Sequence, residues 1–161
     1  MDQIFPTLRF EPYDLEGGRE PFLDSYRETW RIAHGSLEGF DATAVWMAAV
    51  IRGRQDPGSV LSAWAGDAFA GILAMDDRRG RYLRRGWISF FYLRPEFRGQ
   101  GLGRQLMEEA ERHYRALDRK TLRLSVARDN PALGFYRKMG FSPAGWEPGA
   151  LEDLMVMEKK L

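Results

Sequence analysis

The 161-residue chain contains no cysteine and only two histidines, His34 and His113. The first absence removes disulfides, thiolate nucleophiles and cysteine-ligated zinc together. The second leaves two imidazoles far apart in sequence and excludes a multi-histidine metal site within one chain. Long hydrophobic runs are missing too. The longest, WISFFYL at 87–93, is broken by a serine and is far too short to cross a bilayer. The opening MDQIFPTLRF has neither a basic n-region nor an apolar h-region. These absences predict a soluble, cytoplasmic protein that needs no metal and no membrane. Charge of one sign is not in excess either: 24 Lys and Arg face 23 Asp and Glu, for a net charge of +1. The chain as a whole is therefore no polyanion binder, and any attraction for phosphate must be local. With no repeat, low-complexity segment or linker, residues 1–161 read as one domain, large enough to bury a core without staples.

What is present alternates regularly between strand and helix. TLRFEPY (7–13) has the period of a half-buried strand. Pro21 suits a first helical position, and Phe22, Tyr26, Trp30 and Ala33 recur at helical spacing until Gly35. Asp41 is a plausible N-cap for a second helix over 42–52, ending at Gly53. SVLSAWA and AFAGILAM, separated by Gly66 and Asp67, read as a hairpin. WISFFYL reads as a central strand buried on both faces. A third helix begins near Gly101, with Leu102, Leu106, Ala110, His113 or Tyr114, and Leu117 on its apolar face; Glu108, Glu109, Glu111 and Arg112 are expected to face outward. TLRLSVA (121–127) is a strand. NPALGFYRKMG supplies Asn130 as N-cap, Pro131 as first helical residue and Gly140 as stop, and LMVMEKKL (154–161) closes the chain as a strand. The sum is a mixed α/β domain with a strand-helix-strand-helix unit in its second half.

The stretch RPEFRGQGLGRQL (94–106) joins the central strand to the third helix. A strand end, a tight turn and a helix N-terminus aim several unpaired backbone N–H groups at one spot. That geometry makes an anion site. Gly99, Gly101 and Gly103 lack Cβ atoms that would keep a phosphate away, while Arg98 and Arg104 carry forked donors. The alternative is an ordinary glycine-rich turn with solvated arginines. Neither a dinucleotide fingerprint nor a P-loop fits the spacing, since Arg104 stands where the former wants a third glycine and no GK[ST] string exists.

WISFFYLRPEFRGQGLGRQLMEEAE resembles motif A of the GNAT superfamily of N-acetyltransferases, with its [RQ]-x-x-G-x-[GA] signature at Arg98, Gly101 and Gly103. About 30 residues on, DNPALGFYRKMGF (129–141) resembles motif B, and the order of the preceding elements also matches. The resemblance covers nearly the whole chain. It implies a mixed, mostly antiparallel central sheet with flanking helices, and acetyl-CoA as co-substrate. Its pyrophosphate is then expected on the amides of Arg98, Gly99, Gln100, Gly101, Leu102, Gly103 and Arg104, and its pantetheine arm beside the backbone of Tyr92 and Leu93. Tyr136 is implied as the general acid that protonates the departing thiolate; a core tyrosine on the fourth helix is the alternative reading. Relatives usually place Asn seven residues before this Tyr, whereas Asp129 holds that position here and Asn130 follows it. Asn130 is thus a cofactor contact by resemblance and a helix cap by its own chemistry.

A phenol with pKa about 10 stays protonated at neutral pH and suits a thiolate whose parent pKa is about 8.5. The attacking amine must lose a proton: at pKa near 10.4 only about one molecule in 2,500 is neutral at pH 7, a deficit of about 4.6 kcal/mol. WISFFYL has no carboxylate to take it, which leaves Glu96, His34, Ser125 or a water chain as candidates. By the same resemblance the acceptor pocket draws on Trp30, His34, Phe40, Trp46, Trp146 and Glu147, with Trp30 and Trp46 equally suited to the core. Glu28, Glu38 and Glu147 would favour a cationic acceptor. The loop DDRRGRYLRRG carries five arginines, and a solvated loop is expected rather than a nucleic-acid site. The expected partner is a small-molecule or peptide amine, with a homodimer left open. Competing readings are a CoA-binding regulatory module without turnover, transfer of a longer acyl group, and transfer to a protein amine.

Overall fold

The computed structural model describes residues 6–161, so the first five residues of the segment read as lacking a leader lie outside the described residues. Among the described residues seven strands form a single sheet: β1 (Leu8–Pro12), β2 (Val60–Ala65), β3 (Ala68–Met75), β4 (Arg85–Leu93), β5 (Thr121–Val126), β6 (Ser142–Glu147) and β7 (Leu154–Lys160). Their order is β1-β2-β3-β4-β5-β7-β6, and only the β4–β5 pair is parallel. Helices α1 (Arg19–His34) and α2 (Ala42–Gln55) lie on one face, and α3 (Leu102–Ala116) and α4 (Leu133–Lys138) on the other. The expected mixed, mostly antiparallel sheet with flanking helices is what the chain forms.

Period-two alternation feeds two cores from one sheet. Along β3, Leu73 and Met75 join Leu106, Met107 and Ala110 of α3, whereas Ile72 and Ala74 join Phe22 and Leu23 of α1 and Trp46 of α2. Strand β4 is buried on both faces, as its apolar sequence predicts. It carries a bulge: Ala74 pairs with Phe90 and Met75 with Ile88, which leaves Ser89 as an extra residue. The inserted residue turns Ile88 toward the α3 core and Phe90 toward the α1 core although they are two positions apart.

The helix ends mostly follow local chemistry, but the structure departs from the sequence reading at five places. Gly35 closes α1 in the left-handed conformation at φ 78°, and Asp41 caps α2 by accepting the Ala44 N–H at 3.0 Å. Helix α1 starts earlier than Pro21, and α2 runs on through Gly53, against which Leu15 packs, to stop at Asp56 before Pro57. Helix α4 begins only at Leu133: Asn130 instead closes a preceding turn, its side chain accepting the Ala132 N–H at 2.8 Å. Strand β6 was not expected, because SPAGWE carries a proline and a glycine; at the sheet edge, where no outer neighbour needs the missing N–H, both are tolerated. Finally, Glu111 is not on an outward face. It is buried and held by Lys159 of β7 at 2.6 Å and by Arg115 at 3.6 Å, while Leu117 is the exposed one.

Candidate active site

Strands β4 and β5 pair only from Arg85 with Thr121 to Trp87 with Arg123, and then part. The separation opens a cleft of about 550 Å³. One wall is Phe91, Tyr92 and Leu93 of β4; the other is the turn Asn130–Ala132 with Phe135 and Tyr136 of α4. Gly99, Gly101 and Arg104 close one end, and Thr29 and Ile32 of α1 overhang it.

The end built by the glycine turn has the properties of an anion cradle. Gly99 and Gly101 adopt φ of 75° and 81°, which L side chains rarely do, and Gly101 is the N-cap of α3. Among the described residues the N–H groups of Gly99, Gln100 and Gly101 have no protein acceptor, and those of Leu102 and Gly103 belong to the helix turn that lacks one by geometry. Arg104 lines the cleft with an exposed guanidinium. Gly103 differs from its neighbours: a Cβ there would lie 3.1 Å from the Phe135 ring, so its missing side chain serves the contact of α3 with α4. The Leu102 side chain is fully buried in the core, and Gln100 donates to the Glu96 carbonyl at 2.9 Å.

Arg98 has other partners than an anion. Its Nε donates to the Leu93 carbonyl at 2.9 Å, its Nη2 to Glu28 of α1 at 2.9 Å, and its backbone N–H to Pro95. The Tyr92 hydroxyl donates to the second oxygen of Glu28. Burial, reinforced by that carboxylate, pushes Tyr92 up to about 12. Glu28 thereby ties α1 to the end of β4 and to the turn. Sequence reasoning gave Glu28 no such role; its signal is a carboxylate on α1 spaced to meet a tyrosine and an arginine that only the fold brings together.

Tyr136 faces the cleft from within an aromatic cage of Phe91, Phe135 and Phe141, at ring distances of 6.0, 5.6 and 6.0 Å. Burial pushes its phenol up to about 12, so it is protonated at neutral pH. Its ring therefore packs in the core while the residue also lines the cleft.

The remaining candidates sit elsewhere. Trp46 is a core residue against Tyr13 and Phe22. Trp30 gives its indole N–H to the Glu38 carbonyl at 2.9 Å and packs on His34 and Phe40, which braces the loop between α1 and α2. Leu151, from the β6–β7 connection, packs against Gly39 of that loop. Trp146 is half exposed, with Arg128 5.0 Å from its ring centre. Glu96 pairs with Arg94 at 2.9 Å. Ser125 donates to Glu147, whose other oxygen meets Arg79. Burial works against ionisation of Glu147, but the Arg79 and Ser125 hydrogen bonds outweigh it and hold the carboxyl below its usual range. His113 pairs with Asp77 at 2.8 Å, away from the cleft. The arginine loop is not simply solvated: Arg78 pairs with Asp56, Arg84 with Asp118, and Arg79 lies 3.4 Å over Trp87.

Comparison with known proteins places this geometry. Over 79 residues the chain is 35% identical to a protein of Bacillus subtilis (strain 168) named as a ribosomal protein bS18-alanine N-acetyltransferase; the match spans 48% of this chain and 47% of that protein, about half the length of each. The structure of PaiA N-acetyltransferase from Thermoplasma acidophilum in complex with coenzyme A superposes with a TM-score of 0.74 at 21% identity, covering 96% of this chain and 99% of that one. The ribosomal-protein-S18-alanine N-acetyltransferase of Escherichia coli superposes with a TM-score of 0.62 at 16% identity, covering 96% and 94%. At these identities the two structures speak for the fold. The profile of the acetyltransferase (GNAT) family matches residues 19–141, a span that includes the parted strands, the glycine turn and Tyr136, and the chain belongs to that family.

Proposed function

We propose that the chain transfers an acetyl group from acetyl-CoA to a primary amine by direct attack on the thioester. The observation that carries this reading is the cleft itself. A strand edge released from its ladder lies beside a phenol and ends at a helix N-terminus with free N–H groups. The pyrophosphate of CoA is read onto the amides from Gly99 to Gly103 with Arg104 beside them, and the pantetheine arm along Phe91–Leu93. Arg98, committed to Leu93 and Glu28, shapes the turn. Asn130 lines the cleft beside the cofactor path.

In the reaction the amine nitrogen forms a bond to the acetyl carbon, the C–S bond breaks, the amine gives up a proton, and the leaving thiolate takes one from the Tyr136 hydroxyl, which solvent restores. Water is the simplest receiver of the amine proton, because Ser125 and Glu147 already hold each other and Glu96 is paired. The acceptor is read as entering on the α1–α2 face, past the loop braced by Trp30 and His34. The names of the relatives add peptide α-amines to the acceptors worth testing. All 161 residues are read as a single catalytic unit.

The test is release of free thiol from acetyl-CoA over a panel of amino acids, polyamines, aminoglycosides and peptides with a free N-terminal alanine. Calorimetric titration with CoA runs alongside it. Turnover on at least one amine is expected, with CoA binding lost in Gly101→Val protein whose fold is intact by circular dichroism. Tight CoA binding with no turnover on the whole panel would leave a binding module instead of an enzyme.

A further inference from the structure

A second cavity of about 260 Å³ lies between α1 and α2, on the residues of β4 next to those that wall the cleft. Its sides are aromatic, from Phe22, Tyr26 and Phe90. Alanines of α2 and Ala74 leave the space open. A dry cavity of about 150 Å³ already accommodates benzene, so this one holds a phenyl or branched aliphatic group with atoms to spare. Besides the Tyr26 hydroxyl, on which the Arg52 charge acts, two polar groups interrupt the apolar lining. Ser89, the extra residue of the β4 bulge, has a buried hydroxyl with no hydrogen-bond partner. Native interiors rarely leave such a group unmet, so it points to a ligand atom. At the rim Arg52 meets Asp76 at 3.5 Å, longer than a tight ion pair, and keeps donors of its fork for another anion. Asp76 is meanwhile occupied by the N–H groups of Arg78 and Arg79. The position of Ser89 gives the cavity its relation to the chemistry: β4 and β5 part after Trp87, and continuing their register sets Ser89 two residues into the opening.

We infer that this cavity holds the body of the acceptor, and that the acceptor is an amphipathic amine bearing an apolar group and a carboxylate, with the carboxylate on Arg52 and a polar atom on Ser89. The cavity's ligand chemistry stands on its own residues; only the identity of that ligand as acceptor rests on the acetyl-transfer reading. The two are separated by a probe with no amine. 3-Phenylpropanoate carries the body and the charge, and 3-phenylpropan-1-ol carries the body alone.

By calorimetry the acid is expected to bind wild-type protein, to bind Arg52→Gln at least about tenfold more weakly, in keeping with loss of a charged hydrogen bond, and to outcompete the alcohol. Ala48→Leu, which fills the cavity with a good helix former, is expected to abolish binding while CoA affinity stays unchanged. Ser89→Ala is expected to weaken the acid and yet leave the ligand-free protein as stable as wild type or more so, because an orphaned hydroxyl is removed. In turnover, phenylalanine is expected to exceed phenethylamine in kcat/KM, with Arg52→Gln erasing the difference through KM. No binding of the acid to wild-type protein, equal binding of acid and alcohol, or indifference to Arg52→Gln overturns the inference. So does loss of hexanoyl transfer with full acetyl transfer in Ala48→Leu, which would give the cavity to the acyl chain. Binding of the acid as described, with no acetylation of any amine, would uphold the cavity's ligand class and refute the acetyl-transfer reading.

Discussion

The proposed chemistry of the cleft rests on one hydroxyl, that of Tyr136, on a ring that the core already holds. Removing that hydroxyl while keeping the ring separates the two duties. Tyr136→Phe retains the contacts with Phe91, Phe135 and Phe141, so folding and CoA affinity should survive. General acid catalysis contributes on the order of 10²- to 10⁴-fold, and water entering the cleft recovers part of it. Turnover is therefore expected to fall at least about tenfold, with KM for acetyl-CoA near wild type, because the proton is needed in the transition state and not for binding. Single-turnover measurement ensures that chemistry is what is read. Full activity there would take Tyr136 out of the mechanism. The glycines make the same point about residues with different work: Gly101 supplies a backbone conformation and an open approach, whereas Gly103 supplies room for Phe135.

Helix α1 and the loop between β3 and β4 are each held in place by charge. Glu28 draws α1 onto Tyr92 and Arg98, and Arg79 draws the loop between β3 and β4 onto Trp87 and Glu147. An exposed ion pair alone contributes little, about 0–1 kcal/mol, but a guanidinium stacked on an aromatic face adds roughly 0.5–1 kcal/mol or more. Arg79→Ser is accordingly expected to lower stability by about 1 kcal/mol in urea unfolding. Arg84→Ser, which loses the exposed pair with Asp118 and a hydrogen bond to the Asp118 carbonyl but no aromatic stacking, should move the midpoint less. Equal midpoints for the two variants would refute the clamp. These elements also mark how far sequence alone reaches. The α and β periods, the Gly35 stop, the Asp41 cap and the glycine turn are local signals, and the structure repeats them. The carboxylates that hold Arg98 and Arg79 and the lysine that holds Glu111 lie 70, 68 and 48 positions away, which no local pattern encodes. Strand β6 escaped because its proline and glycine contradict strand propensity and are tolerated only at an edge.

At the scale of the whole molecule, one sheet separates two cores, and most of the tyrosines are built into them. Of six tyrosines, Tyr13, Tyr26, Tyr92, Tyr114 and Tyr136 are all pushed above the ordinary phenol range, in each case first by burial. Asp14 adds to this at Tyr13, Glu28 at Tyr92 and Asp77 at Tyr114, while the Arg52 charge works against it at Tyr26. Tyr82 alone is lowered, by the hydrogen bond and charge of Arg81, and it is exposed. The sign of the linkage follows. A phenol whose folded pKa lies above its unfolded value of about 10 favours the folded state below that pH, and the advantage is lost as pH rises through the folded value. For Tyr92 and Tyr136 the window runs from about 10 to about 12. A spectrophotometric titration should then show one tyrosine ionising reversibly at or below the ordinary phenol pKa while circular dichroism remains native. The other five should ionise together, with five times the amplitude, as the far-ultraviolet signal collapses. Tyr82→Phe should abolish the first step and leave the second; Tyr136→Phe should leave the first and reduce the second from five tyrosines to four. Two or more tyrosines ionising reversibly in the native protein would mean that the cores admit hydroxide more freely than this packing allows.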